Sequence, residues 1–260
     1  KYKTLAIIQA RMNSARLPGK VLMPVNDRPL LSYMVERVRT ASYVDNLLIA
    51  TSIEESDDPI EQYCLNNHIP VFRGNLDDVL DRFYQASKTY ESEIIVRLTG
   101  DCPLIDPTII DTMISKFKNS DFDYLANTAP PKGITYPEGM DVEIFTKESL
   151  KKAWMEAKKP SEREHVTFYF WKNTHLFSIS RHDLNEDYSN FRLTVDYPED
   201  FKLVKNILDY FYTSHTQFNM GDIISYLDDN PKIADLNKNI DSFTGWTASL
   251  VNDKLQGFDK

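Results

Sequence analysis

The sequence predicts an α/β protein, a three-layer α/β/α sandwich around a mixed sheet with a small helical extension at its C-terminal end. Three observations carry this. Short apolar runs at residues 5–8, 46–51 and 94–98 alternate with segments of helical periodicity, the pattern of parallel strands joined by covering helices. Residues 140–144 instead alternate apolar and polar at period 2, as half-buried antiparallel strands do, which makes the sheet mixed. Beyond residue 201 only helical patterns remain.

Taken in order, residues 5–8 (LAII) read as a buried strand. From Leu30 the pattern turns helical, with Leu31, Met34, Val35 and Val38 on one face and Glu36, Arg37 and Arg39 between them. Residues 46–51 are the second strand. Asp58-Pro59 has the form of a helix start, cap then proline, and that helix runs to Asn67-His68. Pro70-Val71-Phe72 begins a third strand. Val79, Leu80, Phe83 and Tyr84 mark a further amphipathic helix. Residues 94–98 form a fourth strand, and Asp106-Pro107 caps the helix that follows. Residues 124–127 are a fifth strand, followed by a Pro/Gly-rich loop at 128–134. A helix over 147–158 turns Leu150, Ala153 and Trp154 inward, and residues 161–167 open another. Residues 175–180 and 192–195 read as two more strands. Phe201, Val204, Ile207, Leu208 and Phe211 form one helical stripe, and shorter helices follow at 220–227 and 231–236. Residues 245–260 carry no readable chemistry.

Composition narrows the partners. The chain has 260 residues and a net charge of −9, which argues against nucleic acid or an anionic membrane as the main partner. Cys64 and Cys102 are the only cysteines, too few for a disulfide framework or zinc spacing. No apolar run is long enough to span a bilayer and no signal segment is read, so a cytoplasmic protein is expected.

Against that acidic background, the loop after the first strand is cationic. Arg11, Arg16 and Lys20 lie within ten positions, with Asn13, Ser14 and Gly19 among them. Guanidinium forks, a lysine and free backbone N–H groups suit a polyphosphate; a solvated basic turn is the alternative. The loop is not a Walker A motif, because Gly19-Lys20 is followed by Val21. The fourth strand ends in Thr99-Gly100-Asp101, which projects a carboxylate where open α/β sheets bind ligands. Mg²⁺ favours such oxygens together with substrate phosphates. Cys102 reads as a small buried residue and not a nucleophile. Arg73 and Asp78 follow the third strand and either face a ligand or serve the helix beside them; Asp77, Asp81 and Arg82 read as helix-capping and surface residues. Asp141 and Glu143 share one strand face, either toward a polar ligand or toward solvent. Arg163 and His165 could meet an anionic group, or be structural. Asp196 sits where a strand meets a helix, as a cap or as a second carboxylate ligand.

Arg11-x-x-Ser14-x-Arg16-Leu17-Pro18-Gly19-Lys20, with Arg28-Pro29-Leu30-Leu31 after it, resembles the signature of the sugar cytidylyltransferases, which make CMP-activated sugar acids. Ile7-Ile8-Gln9-Ala10-Arg11-Met12 is most similar to the branch named for spore-coat polysaccharide biosynthesis. Gly100-Asp101-x-Pro103-Leu104-Ile105 resembles the family's metal turn, Pro137-x-Gly139-x-Asp141-x-Glu143-x-Phe145 its acceptor segment, and Val195-Asp196-x-x-Glu199-Asp200 its second metal carboxylate. Three positions depart from the pattern. Asn13 replaces a glycine, which implies a positive φ there; Asn26-Asp27 replaces another; Thr99 replaces a glutamine.

The resemblance implies a nucleotide-diphospho-sugar transferase-like fold of the GT-A type. It places a nucleotidyltransferase domain at residues 1–212, with an acceptor and dimerisation insert at about 128–182, and the helical extension at 213–260. It implies CTP and a sugar or sugar acid as substrates, Mg²⁺ as cofactor and a homodimer joined through the aromatic run Phe168-Tyr169-Phe170-Trp171. Lys20 and Arg11 would be catalytic. Arg11, Asn13, Ser14, Arg16, Lys20, Arg73 and Asp78 would bind nucleotide, and Asp101 and Asp196 the metal. Asp141, Glu143, Arg163 and His165 would bind the acceptor. Only the resemblance points to CTP over UTP or GTP. A glycosyltransferase on the same fold and a non-catalytic nucleotide-binding protein are the alternatives; the former would need an Asp-x-Asp motif, and Asp121-Phe122-Asp123 precedes a strand instead of following one.

Overall fold

The computed structural model describes residues 2–213, 217–241 and Asp253. The strands are β1 (Thr4–Gln9), β2 (Pro24–Val25), β3 (Arg28–Pro29), β4 (Asn46–Ser52), β5 (Val71–Gly74), β6 (Ile94–Thr99), β7 (Tyr124–Ala126), β8 (Glu143–Thr146) and β9 (Ile179–Arg181). Seven of these form one sheet in the order β5-β4-β1-β6-β8-β7-β9, and β2 and β3 form a separate hairpin. β1 runs parallel to both β4 and β6, whereas β8 is antiparallel to β6 and β7. The sheet is therefore mixed, as the two hydrophobic periods in the sequence require.

The helices are α1 (Leu30–Thr40), α2 (Asp58–Asn66), α3 (Val79–Ser87), α4 (Pro107–Lys118), α5 (Lys147–Glu156), α6 (Pro160–Glu164), α7 (Phe168–Lys172), α8 (Pro198–Thr213), α9 (Met220–Asp229) and α10 (Pro231–Ala234). β1 shows why both faces of the sheet need cover. Ala6 and Ile8 pack into a core with α1, α2, α4, α8 and α9, while Leu5 and Ile7 point the other way, toward α3, α5 and α7. Successive side chains alternate across a strand, so an unbroken apolar run demands a layer on each side.

The chain leaves β1 for β4 and β5 on one side, then returns to place β6 on the other. The connections thus reverse direction between β1 and β6, where open α/β sheets form a ligand crevice beyond the strand carboxyl ends. Gly100 closes the two strand ends together: its N–H donates to the Gln9 carbonyl at 2.8 Å. A Cβ at Gly100 would stand 3.0 Å from that oxygen and 3.1 Å from the Ala10 Cβ.

Several elements differ from the sequence expectation. Residues 192–195 make no sheet ladder. Leu193 N donates to the Glu138 carbonyl and Val195 N to the Asp101 carbonyl, so this stretch bridges two loops. The strand expected at 175–180 is only Ile179–Arg181, and the one expected at 140–144 begins at Glu143, after a turn at Gly139. Asn13 is not in the left-handed region; Asn26 and Asp27 are, with φ of 48° and 59°, and form the two-residue turn between β2 and β3. The aromatic run at 168–171 is absorbed within the single chain: Phe168, Tyr169 and Phe170 are all buried.

Candidate active site

A cavity of about 340 Å³ opens beyond β1 and β6, lined by the loop after β1, the Thr99-Gly100-Asp101 turn, α3, the end of α6 and Asp196. The loop is built before it is charged. Ala10 N donates to the Ala50 carbonyl at 3.0 Å, and Met12 N donates to Asp57 Oδ1 at 2.6 Å. Asp57 is fully buried and also accepts from Ser52 N at 3.2 Å. The Met12 carbonyl accepts from both Ser14 N (3.0 Å) and Gly19 N (2.8 Å), which closes the loop on itself. Gly19 has φ of 71°, a conformation that favours glycine, and it turns the chain so that Lys20 enters the cavity.

Lys20 meets two carboxylates from distant parts of the chain. Its Nζ lies 2.8 Å from Asp101 Oδ2 and 2.7 Å from Asp196 Oδ1. Arg16 reaches the same Asp196 oxygen at 2.9 Å and lies 5.0 Å over the Tyr197 ring. Burial pushes the Asp101 carboxyl up, but the Lys20 ammonium and its hydrogen bonds outweigh this and hold it at about 2. For Lys20, burial lowers the ammonium and the two carboxylates more than restore it, so its pKa lies above the ordinary lysine value. Lys20 and Asp101 are thus both charged at neutral pH. Asp196 is released for this contact because Asp200 does the capping: its Oδ2 accepts from Asp196 N and Tyr197 N, each at 3.0 Å.

Arg11, Ser14, Arg16, Lys20, Asp101, Asp196 and His165 all line the cavity. The remaining expected residues do not. Asn13 donates to Ser56 Oγ at 3.0 Å. Arg73 is taken up by Asp58 and Glu61, both at 2.7 Å, and by the Ser52 and Glu54 carbonyls. Asp78 caps α3 through Asp81 N at 2.9 Å and pairs with Arg163 at 2.6 Å, so each consumes the other. Glu143 is 4% exposed and is held by Arg97, Tyr124 and Thr167. Asp141 accepts from Thr128 Oγ1 at 2.5 Å and Gly139 N at 2.6 Å. The Cys102 thiol is pushed well above its ordinary value by burial and by Asp101 and Asp141, so it stays protonated.

His165 stacks on Phe168, with ring centroids 4.4 Å apart. Burial, then the nearby cation Arg97, lower its pKa to about 4, so it faces the cavity as neutral imidazole. The next residue, Val166, has φ of 54°, a strained conformation for a β-branched side chain at the edge of the cavity.

Arg82 is the residue that sequence reasoning misplaced. It is 2% exposed and lines the cavity, and burial holds its guanidinium down at about 10. Gly74 makes room for it, since a Cβ there would stand 2.9 Å from the Arg82 Cγ. The signal was present: Arg82 falls between Val79 and Phe83 on the inward stripe of α3. Glu164 also lines the cavity, and Asp57 supports its loop, without any local sequence pattern to mark them.

Comparison with known proteins gives the family and the fold. A cytidylyltransferase family model matches residues 5–226. The spore coat polysaccharide biosynthesis protein SpsF of Bacillus subtilis is 35% identical over 238 residues, 88% of this chain and 96% of that protein. The 3-deoxy-manno-octulosonate cytidylyltransferase 2 of Hydrogenovibrio crunogenus is 30% identical over 124 residues, 46% of this chain and 49% of that one. The solved structure of a cytidylyltransferase from Leptospira borgpetersenii superposes with a TM-score of 0.83 at 38% identity, covering 90% of this chain and 97% of that one. The chain belongs to the cytidylyltransferase family of nucleotidyltransferases, on the nucleotide-diphospho-sugar transferase-like fold.

Proposed function

We propose that the cavity binds CTP and transfers CMP to a hydroxyl of a sugar acid, releasing pyrophosphate. One observation carries this reading of the site: the Lys20 ammonium lies between the Asp101 and Asp196 carboxylates at 2.8 and 2.7 Å, in a cavity that also holds Arg11 and Arg16. The sugar hydroxyl attacks the α-phosphorus and gives up its proton to solvent, the bond to the bridging oxygen breaks, and the electron pair leaves with pyrophosphate. Little covalent work falls to the protein, so positioning and charge stabilisation dominate. Arg11, Arg16 and Lys20 hold the β- and γ-phosphates and offset the charge that grows on the leaving group.

The two carboxylates also fit a divalent cation. They offer hard oxygen donors to one point, where the Lys20 ammonium between them supplies positive charge. Asp101 and Asp196 would hold Mg²⁺, with phosphate oxygens completing the shell. When bound, the ion supplies Lewis-acid neutralisation of the phosphoryl oxygens. His165 and Glu164 form the wall on which an acceptor would rest. The sugar-acid class and a role in surface polysaccharide synthesis come from the names of the relatives. A homodimer rests on the family resemblance alone, since the aromatic run is buried within one chain. The buried free thiols of Cys64 and Cys102 suit a reducing cytoplasm, and no helix among the described residues is long and apolar enough to cross a membrane.

The glycosyltransferase alternative loses its motif. Asp123 accepts from Ser149 Oγ at 3.0 Å and Ser178 N at 2.9 Å, a structural role outside the cavity. Pyrophosphate release, measured with each of four nucleoside triphosphates against a panel of sugar acids and sugar phosphates, tests the proposal. Release with CTP and a sugar acid is expected. Release with another nucleotide alone, or none with any acceptor, would overturn it.

A further inference from the structure

Asp196 does not hold its position unaided. Its Oδ1 faces Lys20 and Arg16 in the cavity, while its Oδ2 accepts from Arg192 Nη2 at 3.1 Å behind it. Fixing one carboxylate oxygen fixes the direction of the other. Arg192 is itself clamped. Its Nε and Nη2 reach the two oxygens of Asp200 at 3.0 and 3.2 Å, and its Nη1 donates to Glu138. Burial alone would lower the guanidinium, but Glu138, Asp200 and Asp196 raise it above its already high value, so it is always charged.

The last link comes from the C-terminal segment. Asn237 lies in a short 3₁₀ turn, Asp235–Asn237, and its side chain is buried. Its Nδ2 donates to Asp200 Oδ1 at 2.8 Å and to the Arg192 carbonyl at 3.0 Å. One amide therefore ties the backbone of Arg192 to the carboxylate that Arg192 grips. Asp200 is fully buried, so its donors must come from the protein itself.

We propose that Asn237 is a positioning residue: acting through Asp200 and Arg192, it orients the Asp196 carboxylate for the cation that accompanies the nucleotide. This rests on the reading of Asp196 as a cation ligand. Partners one shell out from a metal ligand commonly change affinity or activity by about 10- to 100-fold when removed. Asn237 stands two contacts from Asp196, so the lower end is expected.

The test compares Asn237→Ala with Asn230→Ala and Asp196→Asn. Asn230 belongs to the same segment and donates to the Tyr226 carbonyl at 2.8 Å, outside this network. Mn²⁺ is titrated calorimetrically into each full-length protein, with a CTP analogue carrying a methylene bridge between the α- and β-phosphorus. Melting temperature and steady-state kinetics are recorded in parallel. Asn237→Ala should weaken Mn²⁺ binding by about tenfold and lower kcat with the sugar KM unchanged, while Asn230→Ala binds Mn²⁺ as the wild type does. Asn237→Ala at wild-type Mn²⁺ affinity would overturn the inference, as would equal weakening in both asparagine variants. Undiminished Mn²⁺ binding by Asp196→Asn would instead remove the cation assignment itself, and the inference with it.

Discussion

Two regions expected to meet substrate use their charges differently. On the wall made by residues 11–20, Asp101 and Asp196, the charged groups converge on the open space. In the stretch of residues 141–163, Asp141, Glu143 and Arg163 lie outside the cavity and are satisfied by Thr128, Arg97 and Asp78 respectively. The difference lies in the backbone. The first wall consists of loops at strand ends, held by Asp57 and closed by Gly19 and Gly100, so side chains project beyond the sheet. The second region runs from the loop before β8 to α6, inside the packed protein, where a charge must find a partner.

Substitutions should separate the two regions by what they change. Asp101→Asn and Asp196→Asn are expected to have the largest effect. Each should raise the barrier to transfer by several kcal/mol in the molecules that remain folded, read as kcat/KM for pyrophosphate release. Near-normal turnover in both would break the contrast. Glu143→Gln should do the reverse. Removing one partner of a buried pair costs about 3–5 kcal/mol of stability, so denaturant unfolding should shift while turnover per folded molecule persists.

The smallest effect concerns His165. Its folded pKa, about 4, lies below the ordinary value of 6.5, so between those values the unfolded chain binds the proton and the folded chain does not. Stability from this group is therefore complete above pH 6.5 and falls as pH drops toward 4. His165→Gln should flatten the melting temperature against pH in that window. An unchanged slope would place the imidazole in a more solvated setting than the cavity wall.

The same contrast explains what the sequence disclosed. The parallel half of the sheet was legible because residues 5–8, 46–51 and 94–98 are apolar on both faces, and that pattern needs no knowledge of neighbours. Lys20 and Asp101 were legible because a glycine turn and a strand end mark where a chain must project side chains; Asp196 was legible only through the family resemblance, since the strand expected before it does not form. Arg73, Glu143 and Arg163 were not, because whether a charge meets ligand or partner is decided by residues far away in the chain: Glu143 by Arg97, and Arg163 by Asp78. Residues 192–195 have strand-like alternation, yet their hydrogen bonds go to Glu138 and Asp101, which no local pattern reveals. Arg82 was hidden by its charge, although its place on the inward stripe of α3 showed it buried.

The most direct measurement is calorimetric titration of CTP into the wild type and Lys20→Met, each with and without Mg²⁺. If the cationic loop and the two carboxylates form one triphosphate site, wild-type binding strengthens sharply with Mg²⁺ and Lys20→Met loses most of it. Equal CTP affinity in all four titrations would contradict the account.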